Sequence, residues 1–549
     1  MAPEQTEAVK DQSAALRIWQ RLPAVAAFVL LACQAALPWT APHFVTGDGP
    51  SHLYGATIAR ELIFHHRHSV YAAIYTIQRA ILPNWTATFV LAATEAIAGT
   101  DHAEALFASL AVVTGFFGLS YMKHALAPHE SPWTPVSNFL LQSWFLWIGF
   151  YNFYLGMILV PFLIGYYLRH AGKVTGSRTA MLSAGLTLLF FTHMIALAIA
   201  LTAMGTVAVW RGVLVPAVKK RQLPGMSAWR EPAWVVVAAV PALILTGIYM
   251  YTHNGTGGNV PAGAVRALFL AFPQQVFQTG AGMWGKQDLL WKLVSGYILA
   301  ACVLMRREEW GGARGGIVVA AGLCFLGYLF IPDEGFGGSA VIVRFAWGVF
   351  ILGGVAALNV ARLRVITVPF ALCVAALLAA NVAATARAAR ILSHAVDSYL
   401  ATARALPEGS TVVRLFYPAP AAPERYGYSD AARFPFMHLD ALVASEKHAL
   451  DITDYEPLTR LFPVVQKKAF AGEESQLWGF EGPDPDAVTT LQWLGNVFPR
   501  RIEFVLLFGE EQSGAAQKAG MPTMAAWLSS KMQLLATSSD GLLRLYGRR

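Results

Sequence analysis

Apolar runs of about 20 residues, each long enough to cross about 30 Å of hydrocarbon, recur along residues 22–383 and then stop. They predict helices over about 22–40, 103–122, 135–150, 152–168, 179–192, 194–210, 232–250, 288–305, 315–331, 342–360 and 365–383. From Ala384 onward the pattern changes to short β-rich runs, Thr411–Tyr417 and Ile502–Phe508, separated by amphipathic stretches near 388–405, 437–449 and 486–494. A terminal hairpin is expected over Met532–Tyr546, turning at Ser539-Asp540-Gly541. The pattern therefore predicts a mainly α chain. A polytopic bundle of about eleven transmembrane helices occupies residues 1–383, and a soluble C-terminal α/β domain occupies 384–549.

One further stretch, 81–98, is fairly apolar but contains Pro83, Asn84 and Glu95. It is read as a helix lying in the membrane interface. Counting it as a span would push Arg169, Lys173 and Arg178 to the outer side, against the positive-inside rule. With the N-terminus inside, the inner segments hold 17 Lys/Arg and the outer loops before the tail hold six: Arg60, Arg67, Arg79, Arg266, Lys286 and Arg344. This orientation predicts a multi-pass bacterial inner-membrane protein with an uncleaved first helix, a cytoplasmic N-terminus and a periplasmic C-terminal domain. Residues 41–102 and 251–287, the latter opening with Gly255, Gly257 and Gly258, become large outer loops.

Composition agrees. Hydrophobic residues make up 56% of the 549 and charged residues only 13%, about half the usual share for a soluble domain. The tail from 387 carries 17 Lys/Arg and 18 Asp/Glu, so the net +8 belongs to the membrane part, where orientation explains it without nucleic acid. The four cysteines all lie in apolar runs and suggest neither a disulfide framework nor a zinc ribbon. With no P-loop and no Gly-x-Gly-x-x-Gly, no nucleotide cofactor is expected.

The candidate chemistry gathers on the outer face. The first outer loop opens with Thr46-Gly47-Asp48-Gly49-Pro50-Ser51-His52. Asp48 follows helix 1 by a few residues, on a turn that Gly47 and Gly49 allow to be tight, and a carboxylate held there can act as a general base. Its competing reading is a cap on the next helix, with Ser51 as another cap candidate. Tyr151-Asn152-Phe153 and His193 mark tight outer hairpins. The last loop, Ile331 to Gly338 with Asp333 and Glu334, leads to Arg344, whose guanidinium suits a phosphate. Capping explains Asn152 and His193 equally well, and snorkelling explains Arg344. His65-His66-Arg67-His68 reads as an interfacial basic cluster, because adjacent helical positions point apart. Asp484-Pro485-Asp486 reads as a coincidental Asp-x-Asp in an acidic loop.

With these residues in place, the chain resembles the C-type glycosyltransferase superfamily (GT-C), which includes protein O-mannosyltransferases, the lipid A aminoarabinose transferase and oligosaccharyltransferase. The likeness rests on Asp48 after helix 1, the loop segments 51–66 and 81–98, the outer tail, and the strings GDGPSHLY, LPNW and YNFYLG. The resemblance implies a GT-C-type bundle that moves a sugar from a polyprenyl-phosphate donor to a hydroxyl of a glycan, lipid or protein acceptor, with inversion. It implies Asp48 as catalytic base and His52, Asn152, His193 and Arg344 as substrate-binding residues. The single carboxylate, where the superfamily often has a pair, leaves a divalent metal open. A transporter or lipid flippase, or a non-catalytic assembly subunit, are the rival classes. A transporter would place polar or broken helices at mid-membrane, and an assembly subunit would tolerate loss of the Asp48 carboxylate.

Overall fold

The computed structural model describes residues 3–65, 69–220, 225–252, 288–333, 340–358, 360–417, 434–467, 502–509 and 515–549, with Ala267, Trp493 and Gly495. The loop 253–287 (apart from Ala267), His66-Arg67-His68, Glu334–Gly338, Asp484-Pro485-Asp486 and the expected helix at 486–494 (apart from Trp493) lie outside the described residues.

The apolar runs become helices because hydrocarbon offers the backbone no partner outside its own helix. In chain order they include α1 (Pro3–Ala36), α2 (Gly49–Phe64), α3 (Thr86–Ala98), α4 (Thr100–Leu126), α5 (Pro135–Leu141), α6 (Trp144–Trp147), α7 (Tyr151–His170), α8 (Gly176–Thr192), α9 (Met194–Val209), α10 (Arg230–Thr252), α11 (Asp288–Leu304), α12 (Ala313–Phe330), α13 (Val341–Ala357) and α14 (Arg364–Ala403). Among the described residues seven helical segments are long and apolar enough to cross a membrane, where the sequence suggested about eleven. The α3, α11 and α13 segments are apolar but shorter. At 13 residues, α3 spans only about 20 Å.

The expected helix over 135–150 is instead two short helices, α5 and α6. The chain leaves helical geometry at Gln142, and the carbonyls freed there find side-chain donors. Trp347 Nε1 donates to Leu140 O at 3.1 Å and Tyr154 Oη to Leu141 O at 3.0 Å, so the break leaves no bare carbonyl at these positions. A polar clamp fixes α5 to α1. Gln34 Nε2 donates to Asn138 O, while Asn138 Nδ2 donates to Gln34 Oε1 and Ala27 O, all within 3.0–3.1 Å and buried.

The chain forms two compact units. One comprises 1–37, 109–144 and 153–385. The other comprises 38–108, 145–152 and 386–549. In the second unit a five-stranded sheet runs in the order β3-β2-β5-β7-β6, built from β2 (Thr411–Phe416), β3 (Leu450–Asp451), β5 (Phe504–Phe508), β6 (Met532–Thr537) and β7 (Leu543–Arg548). The two expected β-rich runs, β2 and β5, pair in parallel, with Val413 opposite Val505. The final hairpin is β6–β7, and Gly541 takes φ +76° in its turn. The tail also holds α15 (Leu439–Glu446) and α16 (Tyr455–Thr459). The first outer loop belongs to this unit: its β1 (Tyr75–Ile77) pairs antiparallel with β4 (Val464–Gln466). Tyr54, Ile58 and Leu62 of α2 share a core with Val413, Leu415, Val505 and Trp493.

Candidate functional site

Asp48 sits where the first loop turns into α2. The turn is clamped by backbone: Gly47 N donates to Trp147 O at 3.1 Å and Asp48 N to Ile148 O at 2.7 Å. Two glycines make this approach possible. A Cβ at Gly49 would collide with the Glu104 carboxylate, the Thr46 hydroxyl and the Tyr151 hydroxyl. Gly149, at φ +88°, brings its own Cα within a Cβ's reach of Asp48 N. The sequence pointed to Gly47 and Gly49 for backbone freedom, and at Gly49 the operative reason is space.

The first turn of α2 leaves the Asp48 side chain uncommitted to capping. Asp48 occupies the N-cap position, but its carboxylate makes no cap hydrogen bond, and Pro50 removes one donor that would need it. Ser51 does not cap either. Its hydroxyl donates to Asp454 Oδ1 at 2.5 Å. The Asp48 side chain keeps 18% exposure, whereas His438 beside it keeps 2%.

Beneath Asp48 lie two buried groups of ionisable residues. Glu104, at the start of α4, accepts from Thr46 Oγ1 at 3.1 Å and from Tyr151 Oη at 2.5 Å. His52, one turn along α2, is 6% exposed, and its Nδ1 meets Glu456 Oε1 of α16. Burial draws the His52 pKa down, but the charge of Glu456, its hydrogen bond, and the fields of Asp48 and Glu104 reverse this, so the net shift is upward. His52 is therefore biased toward its protonated form by a buried carboxylate partner.

The tail contributes a third group. His438 Nε2 lies 3.8 Å from Asp48 Oδ1, and His438 Nδ1 lies 2.9 Å from Arg414 Nη1. Arg414, on β2, also donates to Met437 O and lies 3.8 Å from Asp440. Burial, aided by Arg414 and His52, lowers the His438 pKa well below its usual value, so the ring is neutral. Its contact with Asp48 is that of a neutral imidazole N–H, not an ion pair. Burial also raises Asp440 and Asp454 well above the carboxylate range. Arg414 opposes this at Asp440, and at Asp454 the fields of Asp451 and Glu456 add to it.

Asp48 and His52 thus share one site. Asn152 is in the same unit, where its Oδ1 accepts from Ala87 N at 2.9 Å and holds the first turn of α3. His193 and Arg344 lie in the other unit. His193 Nδ1 accepts from Ile195 N at 3.1 Å and caps α9, which leaves Nε2 as the protonated nitrogen. The Arg344 guanidinium stands 5.4 Å from the Phe153 ring, and that ring meets His193 edge-on at 5.0 Å. In the last loop, Asp333 Oδ1 accepts from Ile342 N at the start of α13. Among the described residues, no group of three or more His, Cys, Asp or Glu side chains is arranged to hold a metal ion.

Sequence reasoning missed Glu104, Arg414, His438, Asp454 and Glu456. Glu104 had a signal, a lone acid within an apolar run. Arg414 had another, a charge in the middle of a strand otherwise made for a core.

No family model and no curated protein sequence matches this chain. Two solved structures align over almost its whole length. One is the crystal structure of ArnT from Cupriavidus metallidurans bound to undecaprenyl phosphate, at 12% identity, covering 97% of this chain and 98% of that one, with a TM-score of 0.51. The other is ArnT from the same organism in the apo state, at 12% identity and 98% coverage of both chains, with a TM-score of 0.49. The chain is an integral membrane protein whose fold is similar to that of ArnT.

Proposed function

We propose that this protein is a membrane glycosyltransferase that moves a sugar from a polyprenyl-phosphate donor to an acceptor hydroxyl on the extracytoplasmic face. The observation that carries the reading is the Asp48 carboxylate. It is fixed by backbone on a rigid turn, is not used as a helix cap, keeps partial exposure, and is backed by buried ionisable residues. The ArnT fold supports the lipid-linked donor, since the ArnT structure was solved with undecaprenyl phosphate.

In the reaction the acceptor oxygen attacks the anomeric carbon and its proton passes to Asp48. The bond from that carbon to the phosphate oxygen breaks, and polyprenyl phosphate leaves. Direct displacement inverts the anomeric carbon. His52, matched by Glu456, supplies positive charge behind Asp48 and favours its ionised form. Arg344 and the Nε2–H of His193 are groups whose chemistry suits a phosphate. Asn152 contributes by holding α3. The test is reconstitution in liposomes with polyprenyl-phosphate sugars. Release of polyprenyl phosphate, coupled to a product of inverted anomeric configuration, supports the reading. A retained configuration, or no turnover of any such donor, overturns it.

A further inference from the structure

We propose that His438, in the C-terminal tail, is the positioning residue for Asp48, holding its carboxylate in the ionised, acceptor-facing state through a proton fixed on Nε2. This inference rests on the transferase reading above. A guanidinium N–H can only face a lone pair, and that of Arg414 faces Nδ1 of His438 at 2.9 Å. Nδ1 is therefore the unprotonated nitrogen, and the single proton of the neutral ring sits on Nε2, the atom turned to Asp48 Oδ1. Arg414 is itself held by Met437 O and Asp440 and is 2% exposed, so it cannot swing away to release the tautomer.

His438 occupies the N-cap position of α15, but its side chain is not used as a helix cap. It is 1% exposed and its ring packs 5.1 Å from Tyr455. At 3.8 Å the contact with Asp48 is longer than a hydrogen bond. Contacts of this kind shorten when substrate closes a site.

His52 faces both Asp48 and His438, and Glu104 and Tyr151 act on the same cluster. Glu456 is taken up by His52. His438 is thus a neutral donor to Asp48 whose proton position is dictated from the tail. Before transfer its N–H stabilises the carboxylate. After transfer Asp48 is neutral and the donor adds nothing, so the interaction bears on the protonation state of Asp48 rather than on donor affinity.

The experiment measures the pH profile of kcat in His438→Gln and His438→Asn, with His438→Ala as reference. The Gln amide nitrogen reaches the place of Nε2, whereas the Asn amide reaches only the place of Nδ1. Loss of one hydrogen bond to an ionised carboxylate moves the acid limb up by about 1–2 pH units. The expected result is that His438→Asn and His438→Ala show this upward shift with KM for the donor unchanged, while His438→Gln keeps the native limb. A merely structural role would lower activity in all three without moving the limb, and that result overturns the inference. So does an equal shift in Gln and Asn. The Asp48→Asn variant separates the two levels. If it is inactive and the His438 profiles do not move, only this inference fails. If it remains active, the transferase reading fails first.

Discussion

Replacing Glu456 with Gln keeps the shape of the side chain and removes the charge that matches His52. Both side chains are almost wholly buried, at 7% and 2% exposure. Removing one partner of such a pair costs about 3–5 kcal/mol, because the other charge is left buried without a match. The cost depends on pH in a direction the structure fixes. The folded-state pKa of His52 lies above its ordinary value of about 6.5, since Glu456, Asp48 and Glu104 outweigh burial. The stability this contributes is fully present below pH ~6.5 and is lost as pH rises through the raised folded value. In Glu456→Gln, burial is opposed only by Asp48 and Glu104, and the ring gives up its proton more easily. The gap between native protein and variant is therefore widest on the acid side. It narrows to about 1 kcal/mol, the worth of a neutral hydrogen bond, once both have lost the proton. Denaturant unfolding in detergent at a series of pH values reads this gap. A gap that does not vary with pH, or that widens on the alkaline side, would show that His52 and Glu456 are not an ion pair and would remove His52 as a charge behind Asp48.

Three further outcomes follow from the same geometry. Gly49→Ala places a methyl group against Glu104, Thr46 and Tyr151; it should destabilise the protein by about 1–3 kcal/mol and abolish sugar transfer by displacing Asp48, and normal stability with normal activity would show that the turn is looser than described. Arg344→Ala should raise the KM for the lipid-linked donor by about tenfold or more, as expected for one charge-assisted contact to phosphate, with kcat less affected; an unchanged KM would take Arg344 off the phosphate. Membrane-impermeant labelling of engineered cysteines should reach Glu408→Cys and miss Gly176→Cys, and labelling of Gly176→Cys from outside would invert the orientation.

Much of the fold could be read from the sequence because it rests on local patterns. The apolar runs, the two β-rich strands of the tail and the closing Ser539-Asp540-Gly541 hairpin each carry their signal within a few residues. The break at Gln142 was not legible, because the partners that tolerate it, Tyr154 and Trp347, include one some 200 positions away. The three-residue strands β1 and β4 are too short to show alternation, and only their pairing defines them. The site divides the same way. Asp48 stood out by its flanking glycines and its place after helix 1. Its supporting residues Asp454 and Glu456 lie 403 and 404 positions from their partners Ser51 and His52, and no local pattern spans that interval. Asn152 and His193 looked like ligand residues because they were polar at hairpins. Capping was the competing reading of both: His193 does cap α9, while Asn152 anchors the first turn of α3.

The central claim is that the Asp48 carboxylate accepts the acceptor's proton, and Asp48→Asn tests it most directly. The substitution preserves size and removes the charge and the proton acceptor, and because the Asp48 side chain makes no cap hydrogen bond, α2 loses no cap. Turnover of a polyprenyl-phosphate sugar by the purified variant in liposomes should fall by about 10²–10⁴, with insertion, yield and unfolding midpoint close to those of the native protein. A variant that turns over the donor at near-native rate would contradict the account, and full complementation in cells as well would favour a non-catalytic assembly role.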